Sequence, residues 1–418
     1  MAPAKSKVTV VGAGVVGVAT AWMLCRAGHD VTLVDQHGGP ARGASQANGA
    51  QLSYAYGDAL ASPSMLAYLP GIALGLDPAY RVRMQADPHY LMWGLKFLLN
   101  STPGRFLANT EALLRTAART RQMLGEIQQE LNLSFDYAAS GKMILYASAA
   151  GCDAGVAVRQ LKQDLGIKLS VLNRAEATAI EPALALYPNA IERVVYSPDD
   201  AAGRPDMFCE AMVEVLKKRY GLATVFGQQA KALLTDRGQG QGQTKVTGLT
   251  FADREPLTCD LLVMATGSAT ALLPWRDRPL GGIWPVQGYS ITAPATAAAM
   301  HVSITDVSRK IVFARVGSDI RAAGLADIAA RDCVFDAKRY ETFRQSAVDA
   351  FGPTFEHGPE QNLRPWSGGR PCTPSSQPII RAGSLRGLYL NLGHGTLGWT
   401  LGLGSAAQLC EVIERSQR

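Results

Sequence analysis

Lys7–Val11 (KVTVV) is an unbroken apolar, β-branched run that predicts a strand buried on both faces. An Ala-, Met- and Leu-rich stretch, Val18–Ala27, follows and stops at Gly28, which predicts a helix with a glycine terminator. Asp30–Val34 (DVTLV) predicts a second strand, completing a βαβ opening. Further along, apolar positions at helical spacing (Leu113, Leu114, Ala117, Met123, Ile127) predict a long amphipathic helix over Asn109–Gln129. A helix is expected over Pro205–Arg219. Strands are expected over Gly141–Ala147, Ala223–Phe226, Asp260–Met264, Pro285–Thr292 and Gly387–Leu392, with a last Ala/Leu-rich helix reaching Ile413. Strand and helix patterns alternating from end to end read as an α/β protein.

Composition narrows the class. The 418 residues allow two sizeable cores, and 47% hydrophobic with 18% charged residues is ordinary globular usage. The 42 glycines fall at turns beside apolar runs without a period, and the Gly/Gln tract Gly238–Gln243 reads as a surface loop. A formal charge of +6, scattered along the chain, argues against nucleic-acid binding. Seven cysteines without a Cys-x-x-Cys disfavour a disulfide framework, an iron–sulfur cluster or a zinc site, so no metal is expected and a reducing cytoplasm fits best. Cys25, Cys259 and Cys410 fall in apolar periodic runs and are expected in the core. With the first strand at Lys7, a signal peptide has no room. The longest apolar run, Met65–Leu76, carries Pro70 and two glycines and is too short to span a membrane.

Between the first strand and the first helix lies Gly12-Ala13-Gly14-Val15-Val16-Gly17, a G-x-G-x-x-G. Gly12 serves the tight turn, Gly14 lets backbone approach a pyrophosphate, and Gly17 lets helix and strand pack closely. The helix start offers unpaired N–H groups to phosphates through Gly14, Val15 and Val16. Asp35, ending the second strand, places a carboxylate where ribose hydroxyls bind, with Gln36 beside it. These elements in order point to a dinucleotide but leave FAD and NAD open. Two later segments favour FAD. Asp260–Gly267 runs a buried strand into Ala265-Thr266-Gly267, a turn that passes the AMP half of FAD in two-dinucleotide-fold flavoproteins. Gly387–Leu392 runs into Gly393-His394-Gly395-Thr396-Leu397-Gly398-Trp399 and a helix, whose dipole can stabilise charge on a reduced flavin ring. His394, between two glycines, reads equally as structural or as touching the flavin. No G-x-S-x-G elbow supports hydrolysis by Ser45 or Ser405.

These motifs, with Gly43–Gly57 (GASQANGAQLSYAYG), Asp87–Arg105, Pro285–Thr292 (PVQGYSIT), Arg364–Pro374 (RPWSGGRPCTP) and Asn391–Gly404, resemble the D-amino-acid oxidase superfamily. The likeness is strongest to its bacterial branch of D-amino-acid dehydrogenases, small-subunit type, and covers nearly the whole chain, although Asp35 stands where that family more often has Glu. The resemblance implies a two-dinucleotide-binding (Rossmann-like) FAD domain interleaved with an α+β substrate domain containing a large mixed sheet. Residues 1–60, 205–275 and 362–418 would form the first, and 61–204 and 276–361 the second. It implies that Arg42, Gly43, Ala44 and Ser45 lie along the pyrophosphate and ribityl chain, and that Asn48 and Gly49, with Gln51, lie near the flavin ring. Arg370 matches the arginine that holds the substrate carboxylate; Tyr56, Tyr54 and Tyr289 match pocket tyrosines. Cys372 is the nearest candidate for a covalent flavin link, but this branch implies non-covalent FAD.

The chemistry implied is oxidative deamination of a D-amino acid. A hydride passes from Cα to flavin N5, the imine hydrolyses to a 2-oxo acid and ammonia, and electrons go to a quinone or other non-oxygen acceptor. A bidentate arginine–carboxylate pair suits the orienting task, tyrosines give rigid walls, and no residue stands out as a general base. The alternative is an O₂-using oxidase of glycine, sarcosine, proline or an opine; a subunit of a larger complex and a non-catalytic FAD protein are weaker readings. Gln51 and the tyrosines of Ser45–Gly57 lean towards neutral over cationic substrates. Tyr90–Leu99 (YLMWGLKFLL), with Leu95 and Phe97, reads either as a buried lid helix or as a patch for peripheral contact with the cytoplasmic face of the inner membrane.

Overall fold

The computed structural model describes residues 5–73, 75, 77–153, 156–237, 244–296, 299–329, 331–355 and 362–417; the loop expected over 238–243 lies outside them. Two large sheets organise the chain. The first has six strands in the order Ile379–Ala382, Leu388–Leu392, Leu261–Met264, Lys7–Val11, Asp30–Asp35 and Ala223–Phe226. All neighbours are parallel except the first pair, an antiparallel edge. The continuous apolar runs of the central strands are explained by helices over their outer surface. Val15–Arg26 packs on Pro205–Tyr220 and on the C-terminal helix Gly398–Gln417, which also crosses Pro103–Leu131. The two glycine turns and the Ala265–Gly267 turn thus lie at the carboxyl ends of adjacent strands, where open α/β sheets bind ligands.

The second sheet is mixed. Its path runs Arg364–Cys372, Trp284–Pro294, Asp319–Ile328, Ile311–Val316, Ser303–Asp306, Lys142–Tyr146, Arg193–Ser197, Ser170–Leu172, with Tyr80–Val82 pairing alongside Asp319–Ile328. It carries its own core, built on Phe313, Phe343, Phe355, Ile291 and Ile304. The predicted elements recur with shifted ends: the helix expected at Asn109–Gln129 spans Pro103–Leu131, and Pro285–Thr292 lengthens to Trp284–Pro294.

Two segments pack otherwise than expected. Pro103–Leu131, expected within 61–204, sends Leu113, Ala117, Leu124 and Ile127 into the core beside the first sheet. Arg364–Cys372, expected with the FAD segments from residue 362, is an edge strand of the second sheet, in register with Trp284–Thr292. The chain returns to the first sheet only after Cys372.

Candidate cofactor and substrate site

A single cavity of about 1410 Å³ runs from the Gly12–Val16 turn to the face of the second sheet. At its dinucleotide end, Gly12 has φ +103°, and a Cβ there or at Gly17 would collide with backbone, so the tight turn and the close helix–strand approach both require glycine. Gly17 packs away from the cavity, whereas Gly12, Gly14, Val15 and Val16 line it. Asp35 braces the turn: Oδ2 accepts from Ala13 N at 2.7 Å and Oδ1 from His37 N at 2.9 Å. Asp35 and Gln36 both line the cavity. Ser45 Oγ accepts from Val15 N at 3.1 Å, tying the 43–51 segment to the helix start.

Gly43, Ala44, Ser45, Asn48, Gly49 and Gln51 all line the cavity. Arg42 does not: its guanidinium reaches outward to Glu210, 3.1 Å away, as a half-exposed pair. Asn48 caps its own turn, Oδ1 accepting from Ala50 N at 2.9 Å, while Arg321 Nη1 donates to its carbonyl at 3.2 Å. Gln51 ties its segment to the second sheet, its amide donating to Ile304 O at 3.1 Å and Phe313 O at 2.9 Å. Ala265, Thr266 and Gly267 close a second side, and His394 to Gly398 a third. Gly393 turns the strand with φ +76° just outside the lining. His394 is buried, and desolvation pulls its pKa down to about 3. Its Nε2 lies 2.9 Å from Ser405 Oγ, whose hydroxyl already donates to Gly402 O. His394 is therefore a neutral Nε2–H donor that pins the final helix. Cys372 is buried close by, and burial pushes its thiol up to about 12.

At the end of the cavity against the second sheet, Arg370 leans from the edge strand across Trp284–Pro294, donating through Nη1 to Leu325 O at 2.7 Å and through Nη2 to Gly324 O at 3.3 Å. It fits because Gly288 beneath it has no side chain; a Cβ there would overlap the guanidinium. Arg370 has no carboxylate partner among the described residues, and desolvation lowers its pKa from the ordinary arginine value. A guanidinium stays protonated even so. The result is a half-buried positive charge with donors left over. Tyr56 and Tyr289 line the cavity, joined by Tyr80; Tyr54 is buried behind the lining, and its hydroxyl has no hydrogen-bond partner among the described residues.

Sequence reasoning missed Gly288, Lys142, Lys162, Asp58, Asp200 and Thr305, all but the first of which line the cavity. A glycine inside a predicted strand was the one available signal, since it marks close approach of another group. The Tyr90–Leu99 readings divide by face of one helix, Pro88–Asn100. Tyr90, Trp93 and Phe97 are buried against Trp284, while Leu91 and Leu95 are about half exposed (49% and 51%). Phe97 therefore belongs to the inward face, not to an outer patch.

The family model described as FAD dependent oxidoreductase matches residues 7–412. D-amino acid dehydrogenase 2 of Ralstonia nicotianae is 36% identical, over 98% of this chain and 96% of its own. D-amino acid dehydrogenase of Paramagnetospirillum magneticum is 35% identical over 97% and 94%. Among solved structures, glycine oxidase from Bacillus cereus superposes with a TM-score of 0.71 over 99% of this chain and 96% of its own, at 18% identity, a likeness of fold.

Proposed function

The chain belongs to the FAD dependent oxidoreductase family, and on that premise we propose that it oxidatively deaminates D-amino acids, with Arg370 holding the substrate carboxylate. The residues present fit FAD: a helix start open to phosphates, a carboxylate at the ribose position, and a turn-and-helix at the far end of one continuous cavity. Arg370, half-buried and without a carboxylate partner among the described residues, carries the substrate reading, because a partly desolvated cation without a partner calls for an anion from outside the protein. The curated relatives' names supply the D-amino acid.

Bound FAD supplies the two-electron acceptor for the hydride leaving Cα, after which the imine hydrolyses to 2-oxo acid and ammonia. The chain itself fixes direction. The Arg370 fork, held by two backbone carbonyls of one strand, presents its remaining N–H groups to a carboxylate in a fixed plane. Tyr56 and Tyr289 wall the cavity and keep water from the reacting carbon. FAD is held without a covalent bond by the turns at 12–16, 43–51, 265–267 and 394–398.

Electrons pass to a quinone-type acceptor, with the enzyme resting peripherally on the cytoplasmic face of the inner membrane. Supporting this is the outward row Leu91, Leu95, Leu98 and Leu99, bordered by Arg105, whose Nη1 donates to Leu99 O at 3.2 Å. Among the described residues no helix is long and apolar enough to cross a membrane.

Anaerobic titration of the holoenzyme with D- and L-amino acids, read by flavin absorbance, tests the reaction. D-amino acids should bleach the flavin, and Arg370→Lys should raise the apparent Kd about 100-fold, roughly 3 kcal/mol. Bleaching by L-amino acids alone, or an unchanged Kd, refutes the assignment. Aerobic peroxide release matching turnover would make O₂ the acceptor instead.

A further inference from the structure

The cavity meets the surface at an apolar mouth between two helices. One lip is the helix Pro63–Ala73, from which Ser64, Met65 and Tyr68 line the cavity. The other is the start of Pro103–Leu131, which contributes Pro103, Phe106 and Leu107. Ser64, Tyr68 and Pro103 are exposed as well as lining the cavity, so the interior opens outward here. Hydrogen bonding and packing bring the lips together. Just ahead of the first lip, Ala59 N donates to Thr110 Oγ1 at 3.1 Å. Thr110 shares a helix face with Phe106 and Leu107 one turn earlier and Pro103 two turns earlier. Met65 packs against the cluster of Tyr90, Trp93 and Phe97, so the first lip also leans on the inward face of Pro88–Asn100.

The chemistry of the lips decides what can pass. None of the lip side chains named carries a charge at neutral pH. At the dinucleotide end the exposed lining is instead Gln36, His37, Gln229 and Lys231, a polar rim. A zwitterion gives up hydration on an apolar lip without return, whereas an apolar molecule gains there. The surface around the mouth has the same character. Leu98 and Leu99 end the outward leucine row just ahead of Pro103, and Leu66 is exposed beside Tyr68 on the other lip. Lys310, whose Nζ lies 5.5 Å from the Tyr68 ring centroid, is paired with Asp77. Inside, Phe106 and Leu397 both line the cavity and both pack on the core beside the first sheet. The mouth therefore leads towards the 394–398 turn, the one expected at the flavin ring.

We propose that this mouth is the port by which a lipid-soluble quinone enters from the bilayer to reach the flavin, its apolar tail lying between the two lips. This rests on the quinone and membrane reading of the preceding section. Oxidation of the amino acid leaves two electrons on the flavin. The quinone takes both, with one proton from the reduced flavin and one from water, and leaves as hydroquinone while the flavin returns to its oxidised form.

Stopped-flow reoxidation tests the port. The holoenzyme is reduced anaerobically with stoichiometric dithionite, then mixed with decylubiquinone in phospholipid vesicles or with ferricyanide in water. Leu107→Trp, which fills one lip, and Ser64→Arg, which charges the other, should each slow reoxidation by decylubiquinone at least tenfold. FAD content and reoxidation by ferricyanide should stay within twofold of the parent. Variants as fast as the parent with the quinone, or equally slow with both acceptors, overturn the port while the acceptor reading stands. If Leu107→Trp loses FAD, Ser64→Arg, at an exposed position, decides alone. A parent enzyme that decylubiquinone fails to reoxidise would strike the quinone reading itself, and the port with it.

Discussion

Gly288 is empty space that the Arg370 guanidinium fills. Gly288→Ala should therefore push the fork off the Gly324 and Leu325 carbonyls and raise KM at least tenfold, about 1.4 kcal/mol, while FAD content stays unchanged. Steady-state kinetics with flavin quantitation checks this, and an unaltered KM would remove Arg370 from the substrate. His394 gives a prediction in pH. Its pKa in the fold is depressed to about 3 from the usual 6.5, so the stability it contributes is present above 6.5 and is lost as pH falls towards 3. The loss grows by about 1.4 kcal/mol per pH unit below 6.5. His394→Gln keeps an amide donor for Ser405 without the charge, so its melting temperature should fall less than the parent's between pH 6.5 and 4.5. Arg370 was legible in sequence because Gly-Gly-Arg-Pro is a distinctive block. Lys142 was not. In KMILY it reads as a polar strand edge, and the groups its ammonium meets, Ser53 and the Tyr56 ring, lie far off in sequence and are brought alongside only by the fold.

Elements were legible in proportion to their local order. Val15–Arg26 and Pro205–Tyr220 announce themselves by Gly17 and Gly28, and by Pro205 and Gly221. Arg364–Cys372 misleads, since Pro365, Gly368, Gly369 and Pro371 look like a turn. An edge strand tolerates them because one side of its backbone needs no partner. Helix crossings are set by residues whose role sequence does not show. A Cβ on Gly404 would strike the Thr116 carbonyl, so glycine lets Gly398–Gln417 lie close on Pro103–Leu131. Gly404→Ala should cost about 1–3 kcal/mol as overpacking and, by shifting the helix start at 398, weaken FAD retention. Thermal melts with and without added FAD measure both; a melting temperature within a degree of the parent would contradict the packing.

For the whole molecule, Gln51 reaches from the 43–51 segment to two strands of the second sheet, and Trp93 Nε1, donating to Cys372 O at 2.8 Å, fixes the apolar helix on that same sheet. That helix faces outward with Leu91 and Leu95. The pair Leu91→Glu and Leu95→Glu should move the enzyme from the membrane pellet to the supernatant while activity with a soluble dye persists; unchanged sedimentation would remove the membrane from the scheme. The overall α/β class was readable from strand–turn–helix order, whereas the cavity was not, because its walls come from distant segments of the chain. The order of the first sheet also bears on biosynthesis. Lys7–Val11 lies between Asp30–Asp35 and Leu261–Met264, and Leu388–Leu392 lies beyond. A ribosome adding ~5–20 residues per second needs roughly 12–50 s after the first strand emerges to deliver its second neighbour, and longer for the turn at 393–398. Until then Val8 and Val10 have only half a sheet to cover them. The nascent chain therefore carries an open sheet edge through that window, and the cavity is complete only once the turn at 393–398 has been made.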